Sequence, residues 1–235
     1  FQVHLGPTNE IADKMNEPKF TPIKLGYSRD GFHWYRPDRK AFIKGTHKDG
    51  DWDKAFINIP TGILLVVGDT LWFPYTAYSG VNPDGEHGMY SGQSIGLAFL
   101  RRDGFASMEA KKRQGTLLTR PVVFAGKYLF VNVDCPEGEL RVEVLDKHGR
   151  VLKPFTVKKC KPIHTNKTLC KVEWKSGRNL SSLAGKPVRF RFYLTNGKLY
   201  SFWVSTDKNG ASHGYLGAGG PGFEGVVDNQ GVNAY

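Results

Sequence analysis

The sequence predicts an all-β chain in which the last blades of a partial β-propeller are followed by an antiparallel β-sandwich. Three observations predict it. The 235 residues include 28 glycines and 13 % aromatic side chains, a turn-rich balance that favours strands over helices. Apolar residues alternate with polar ones in short runs broken by Gly, Pro, Asn and Asp. An apolar strand ending in Arg-Asp-Gly-Phe occurs twice, with its turns at Arg29–Phe32 and Arg102–Phe105.

Taken in order, Phe1-Gln2-Val3-His4-Leu5 reads as the alternating interior of a strand, so the chain is expected to start inside a longer polypeptide. Residues 23–28 and 94–100 alternate and run into the two copies of the turn. Between them, residues 62–68 and 70–78 read as strands joined through Gly68-Asp69. A propeller needs at least about four blades, so residues 1–108 are expected to be incomplete, the remainder lying upstream or in a partner chain. One turn of helix fits near Ser107–Lys112.

Residues 109–206 read as the sandwich, with strands over 116–124, 128–134, 139–145, 171–174, 188–194 and 199–204. In Val188–Leu194 the even positions are apolar, so one face is buried and Arg189 and Arg191 point the other way. Asn196-Gly197 predicts a type I′ hairpin into the next strand. The Gly-rich residues 207–235 are expected to wrap the surface as irregular coil.

Charge follows the same division. Residues 1–105 hold 12 basic and 12 acidic side chains, residues 106–206 hold 20 and 7, and residues 207–235 hold 1 and 3. The excess therefore sits on the sandwich, where a positive field suits an anionic polymer; a solvated face without a ligand is the plainer alternative. Lys158, Lys159, Lys161, Arg189 and Arg191 are the candidate polyanion contacts. No helix-turn-helix or RNP-like sequence is present, so nucleic acid is not the expected partner. No apolar run approaches the ~20 residues of a membrane-spanning helix.

The nine residues between Cys160 and Cys170 can be closed by a disulfide, worth roughly 2–3 kcal/mol in the chain-entropy model, with three reduced thiols as the alternative. Cys135 is left over. Asn166-Lys167-Thr168 and Asn179-Leu180-Ser181 are acceptor patterns for N-glycosylation, and with the cysteine pair they point to a secreted protein. No C-x-x-C, H-x-x-x-H or P-loop motif occurs, and the Gly-rich Gly217–Gly222 neither follows a convincing strand nor opens a helix, so neither a metal nor a cofactor is expected.

The stretch Leu25–Pro37 resembles the blade signature of five-bladed propeller glycosidases. With Gly96–Met108, Gly115–Pro121, Leu129–Asp134 and Leu183–Phe190, the chain is similar to the C-terminal part of secreted proteins related to glycosyl hydrolase family 32. The resemblance covers most of residues 20–225 and implies final propeller blades followed by a sandwich. It also implies that the catalytic carboxylates lie upstream of Phe1, because the family's Asn-Asp-Pro, Arg-Asp-Pro and Glu-Cys motifs are not found here. In Arg29-Asp30-Gly31 and Arg102-Asp103-Gly104, Gly stands in place of Pro, and both aspartates read as turn formers.

Glycoside hydrolysis needs two carboxyl groups at defined separation, and the candidates here are Asp49, Asp51 and Asp53 around Trp52, with Asp69 and Glu86 behind them. Asp49–Asp53 also has oxygen ligands for Ca²⁺ but lacks the bidentate Glu of an EF-hand loop, so a solvated turn is the reading. Trp52, Trp34 and His33 are candidate sugar contacts, since an aromatic face suits a sugar ring; a buried structural Trp is the alternative. The expected function is that of an extracellular carbohydrate-active protein, this portion shaping and binding an oligo- or polysaccharide without the catalytic pair. The alternative is a non-catalytic binding or matrix protein that captures sulfated or uronate-rich glycans.

Overall fold

Helix is confined, among the described residues, to α1 (Asn9–Met15) and a few 3₁₀ turns. The computed structural model describes residues 3, 6, 8–16, 18–36, 38–59 and 64–235. It is mostly β, with antiparallel sheets. The sequence reading assigned no helix to α1. Glu10 in its first turn and Lys14 in its last complement the helix dipole, and Asn16 ends it in the left-handed conformation. The strand expected over residues 1–5 lies mostly outside the described residues, as do residues 62 and 63 of the strand expected over 62–68.

The chain divides into two units, Phe1–Leu64 with Trp72–Phe99 and Leu65–Leu71 with Leu100–Tyr235. In the first, a two-stranded ribbon pairs β1 (Tyr27–Ser28) with β2 (Trp34–Tyr35). Next come β3 (Phe56–Asn58) and, in the second unit, β4 (Leu65–Val67), which turns through Gly68 and Asp69 into β5 (Thr70–Tyr78). β5 pairs with β3 and with β6 (Gln93–Arg101). Strict alternation in β5 buries Phe73, Tyr75 and Ala77, and Tyr75 and Ala77 join Ile23 and Ile57 in a small core. β6 alternates as expected, but Ile95, Leu97 and Phe99 are exposed and the small Gly96 and Ala98 point inward.

The duplicated Arg-Asp-Gly-Phe is not a structural repeat. In the first copy Gly31 takes the positive φ (80°), and the Asp30 carboxylate accepts from the backbone N–H groups of Phe32 and His33. In the second, Asp103 itself takes the positive φ (54°) and Arg101 C=O accepts from Gly104 N–H. Only the first copy links two paired strands. The same four residues adopt different turns because their flanking strands have different neighbours.

The second unit contains β7 (Met108–Ala110), β8 (Gly115–Leu118), β9 (Tyr128–Asp134), β10 (Glu139–Asp146), β11 (Asn166–Lys171), β12 (Val188–Thr195) and β13 (Gly197–Ser205). One sheet runs β10-β12-β8 and the other β11-β9-β13-β7. Residues of both sheets, among them Val131, Val133, Val142, Phe190 and Phe192, share one core. This is a sandwich-like arrangement, and in it each successive strand from β7 to β13 joins the opposite sheet.

That topology corrects three expectations. Asn196-Gly197 does not make a hairpin, since β12 and β13 belong to different sheets. Asn196 alone has positive φ (47°), and the chain steps across the core there. Gly197 is needed because a Cβ would collide with the Cβ of Cys135 and the carbonyl of Asp134. The helical turn allowed at Ser107–Lys112 is the edge strand β7, paired with β13. The strand expected at 171–174 instead ends at Lys171, and its start at Asn166 pairs with Asp134.

The Cys160–Cys170 crosslink is also corrected: all three cysteines are free thiols. The Cys160 sulfur is turned into the core, where it accepts from Val142 N–H at 3.3 Å, while Cys170 sits on β11 opposite Val131. The tail is more firmly held than surface coil. Asp228, fully buried, pairs with Arg102 at 3.0 Å, and Trp203 donates to Gly210 C=O at 3.0 Å. Burial works to raise the Asp228 pKa, but N–H groups of Gly231 and Ser212 and the Arg102 guanidinium outweigh it and hold the carboxyl below its ordinary value.

Candidate anion-binding cleft

Tyr128 and Leu129 open β9, and Lys171 closes the neighbouring β11. Between them the backbone is tied down: Leu129 C=O accepts from Val172 N–H at 2.9 Å, and Lys127 C=O accepts from Leu180 N–H at 2.8 Å. Trp174, buried, donates from its indole to Val142 C=O at 3.1 Å and lies edge-on to Phe155. These contacts fix the floor and walls of a cavity of about 360 Å³. Lys127, Lys161, Lys171, Arg178 and Lys208 line it, against one carboxylate, Glu173.

Glu173 lies between two of the cations, with Oε2 2.8 Å from Lys161 Nζ and Oε1 3.4 Å from Lys171 Nζ. The hydrogen bond from Lys161 does most to lower the Glu173 pKa; burial opposes it, and the charge of Lys161 with the hydrogen bond and charge of Lys171 carries the balance downward. Lys171 also lies 4.9 Å from the centre of the Tyr128 ring, a cation–π contact. Clustering five cations with one anion leaves an uncompensated positive field in a recess. Such a recess concentrates anions.

No protein-family model, curated protein or solved structure matches this chain.

Of the polyanion contacts expected from sequence, only Lys161 lines the cleft. Lys158 and Lys159 stand exposed on a 3₁₀ turn, Val157–Lys159. Arg191 is paired across the β10–β12 register with Glu143 at 2.9 Å, and Glu143 also accepts from the Tyr193 hydroxyl at 2.7 Å. Arg189 is half-buried on the same strand. The patch expected from sequence is thus divided, with its arginines on the other sheet. Lys127, Lys171, Arg178 and Lys208 were missed, because they are distant in sequence and only the packing of β9, β11 and the tail brings them together.

The sugar contacts expected in the first unit fall on separate elements. His33 and Trp34 belong to the β1–β2 ribbon, where His33 pairs with Asp30 at 2.5 Å and the Trp34 indole donates to Gly31 C=O at 3.0 Å. Trp34 is two-thirds exposed, with Tyr27 and Tyr35 stacked at 5.9 Å on the same ribbon. Trp52, partly exposed, leans on Tyr75 with ring centres 5.8 Å apart, over a space that any side chain at Gly96 would fill. Asp51 and Asp53 flank it in a loop closed by their backbone carbonyls, which accept from Lys54 and Thr46 N–H. Asp49 of the same loop is paired with Lys54 at 2.5 Å. Among the described residues no three His, Cys, Asp or Glu side chains converge as metal ligands would. Of the two glycosylation patterns, Asn179 lies on the cleft wall and exposed Asn166 accepts from Arg101 at 2.5 Å.

Proposed function

We propose that this protein acts outside the cell as a non-catalytic glycan-binding protein, capturing sulfated or uronate-rich oligosaccharides in the cleft of its second unit. The convergence of five cations on one recess with a single carboxylate carries this reading. Two features favour a glycan over nucleic acid. Among the described residues, the only aromatic ring bordering the recess, apart from buried Trp174, is Tyr128, and Lys171 already lies against it, so bases have no open stacking platform there. The acceptor pattern at Asn179 fits the cell exterior.

The resemblance to glycosyl hydrolase family 32 belongs to the same proposal, and so does the finer architecture of last propeller blades followed by a sandwich. The shared core of the two sheets supports the sandwich. The antiparallel pair β3–β5, with β6 paired to β5, supports the blades. In this reading the chain binds glycan, and any catalytic carboxylates belong to a part it does not contain.

The test is binding to immobilised heparin across a salt series. Affinity falls with salt, and Lys127→Glu with Lys208→Glu weakens binding at least about fivefold, whereas Lys158→Glu with Lys159→Glu changes it far less. Equal binding of single-stranded DNA, or salt-insensitive binding to a neutral fructan in its place, would overturn the assignment.

A further inference from the structure

A second recess of about 290 Å³ adjoins the first and shares three of its lining residues, Lys161, Lys171 and Glu173. It adds Lys167 to the cations already named. The boundary between the two recesses is therefore the bridge that Glu173 makes with one oxygen to each lysine. Lys161 is fixed at its backbone, donating its N–H to Glu173 C=O at 2.8 Å. The three side chains are one-third to more than half exposed, so the carboxylate is held by screened contacts and is free to swing aside.

A sulfate or carboxylate group presents the same paired oxygens that Glu173 presents to these two ammonium groups. We propose that Glu173 is a resident competitor: the ligand's anionic groups displace it from Lys161 and Lys171 and join the two recesses into one trough. The inference rests on the glycan-binding reading and narrows its ligand class. An anion filling one recess meets only part of the cation set, whereas a chain with anionic groups on successive sugars engages Lys127, Arg178 and Lys208 on one side and Lys167 on the other. The preferred ligand is thus an extended polyanionic oligosaccharide rather than a singly charged sugar or a free ion.

Calorimetric titration with a heparin hexasaccharide and a heparin disaccharide tests this. Glu173→Gln should tighten hexasaccharide binding roughly twofold to fivefold, the scale of an exposed ion pair removed from competition. Lys167→Ala should weaken the hexasaccharide more than the disaccharide. Glu173→Ala serves as the second variant, with melting temperature monitored for both. Wild-type protein that binds neither saccharide would end the glycan-binding reading itself. Wild-type binding with an equal or weaker hexasaccharide affinity in both folded Glu173 variants would overturn the competitor role and leave the broader reading standing.

Discussion

A methyl group on Gly197 would occupy space already taken by Cys135 and the carbonyl of Asp134, so one missing side chain permits the chain to step from one sheet to the other. Cysteine follows the same logic of local space. Burial raises the thiol pKa of Cys135, Cys160 and Cys170 alike. Exposure separates them, because Cys170 is half-buried and borders the second recess while the other two are fully enclosed. Alkylation of native protein followed by mass measurement should therefore label Cys170 first, and denaturation should release all three thiols. A denatured, unreduced chain that takes up a single label would restore the crosslink between Cys160 and Cys170.

Among the elements, β12 was the most legible in sequence. Val188, Phe190, Phe192 and Leu194 are buried and the residues between them are not, as the period-two pattern requires. Phe192 packs on Phe190 and on Phe202 at ring-centre distances of 6.3 and 5.0 Å. Phe192→Ala should cost about 3–5 kcal/mol in denaturant unfolding, the range for emptying a large buried aromatic site. A loss below about 1 kcal/mol would show that the two sheets do not share this core. Strand β9 was legible as a strand but not in its partners: five consecutive buried residues, Leu129–Val133, need both faces covered. The core covers one face, while Trp203, stacked 5.6 Å from Phe130, and Arg101, donating to Asn132, lie on the other. Alternation reveals which residues face inward. It carries no record of which strand lies beside which, so Asn196-Gly197 looked like a hairpin and the Arg-Asp-Gly-Phe copies looked equivalent.

At the scale of the whole chain, the charge split read from sequence located the basic region but not its working surface. Pairs such as Arg191–Glu143 and Arg141–Glu139 neutralise part of the excess on the sheet β10-β12-β8. What remains concentrated is the recess beside β9 and β11, to which the tail contributes Lys208. The most direct measurement is chemical-shift mapping of a heparin hexasaccharide onto isotope-labelled protein. The account predicts that shifts centre on Lys127, Lys171, Arg178 and Lys208, with Glu173 among the largest changes. Shifts centred on His33, Trp34 and Trp52 in the first unit, with the cleft unmoved, would contradict it.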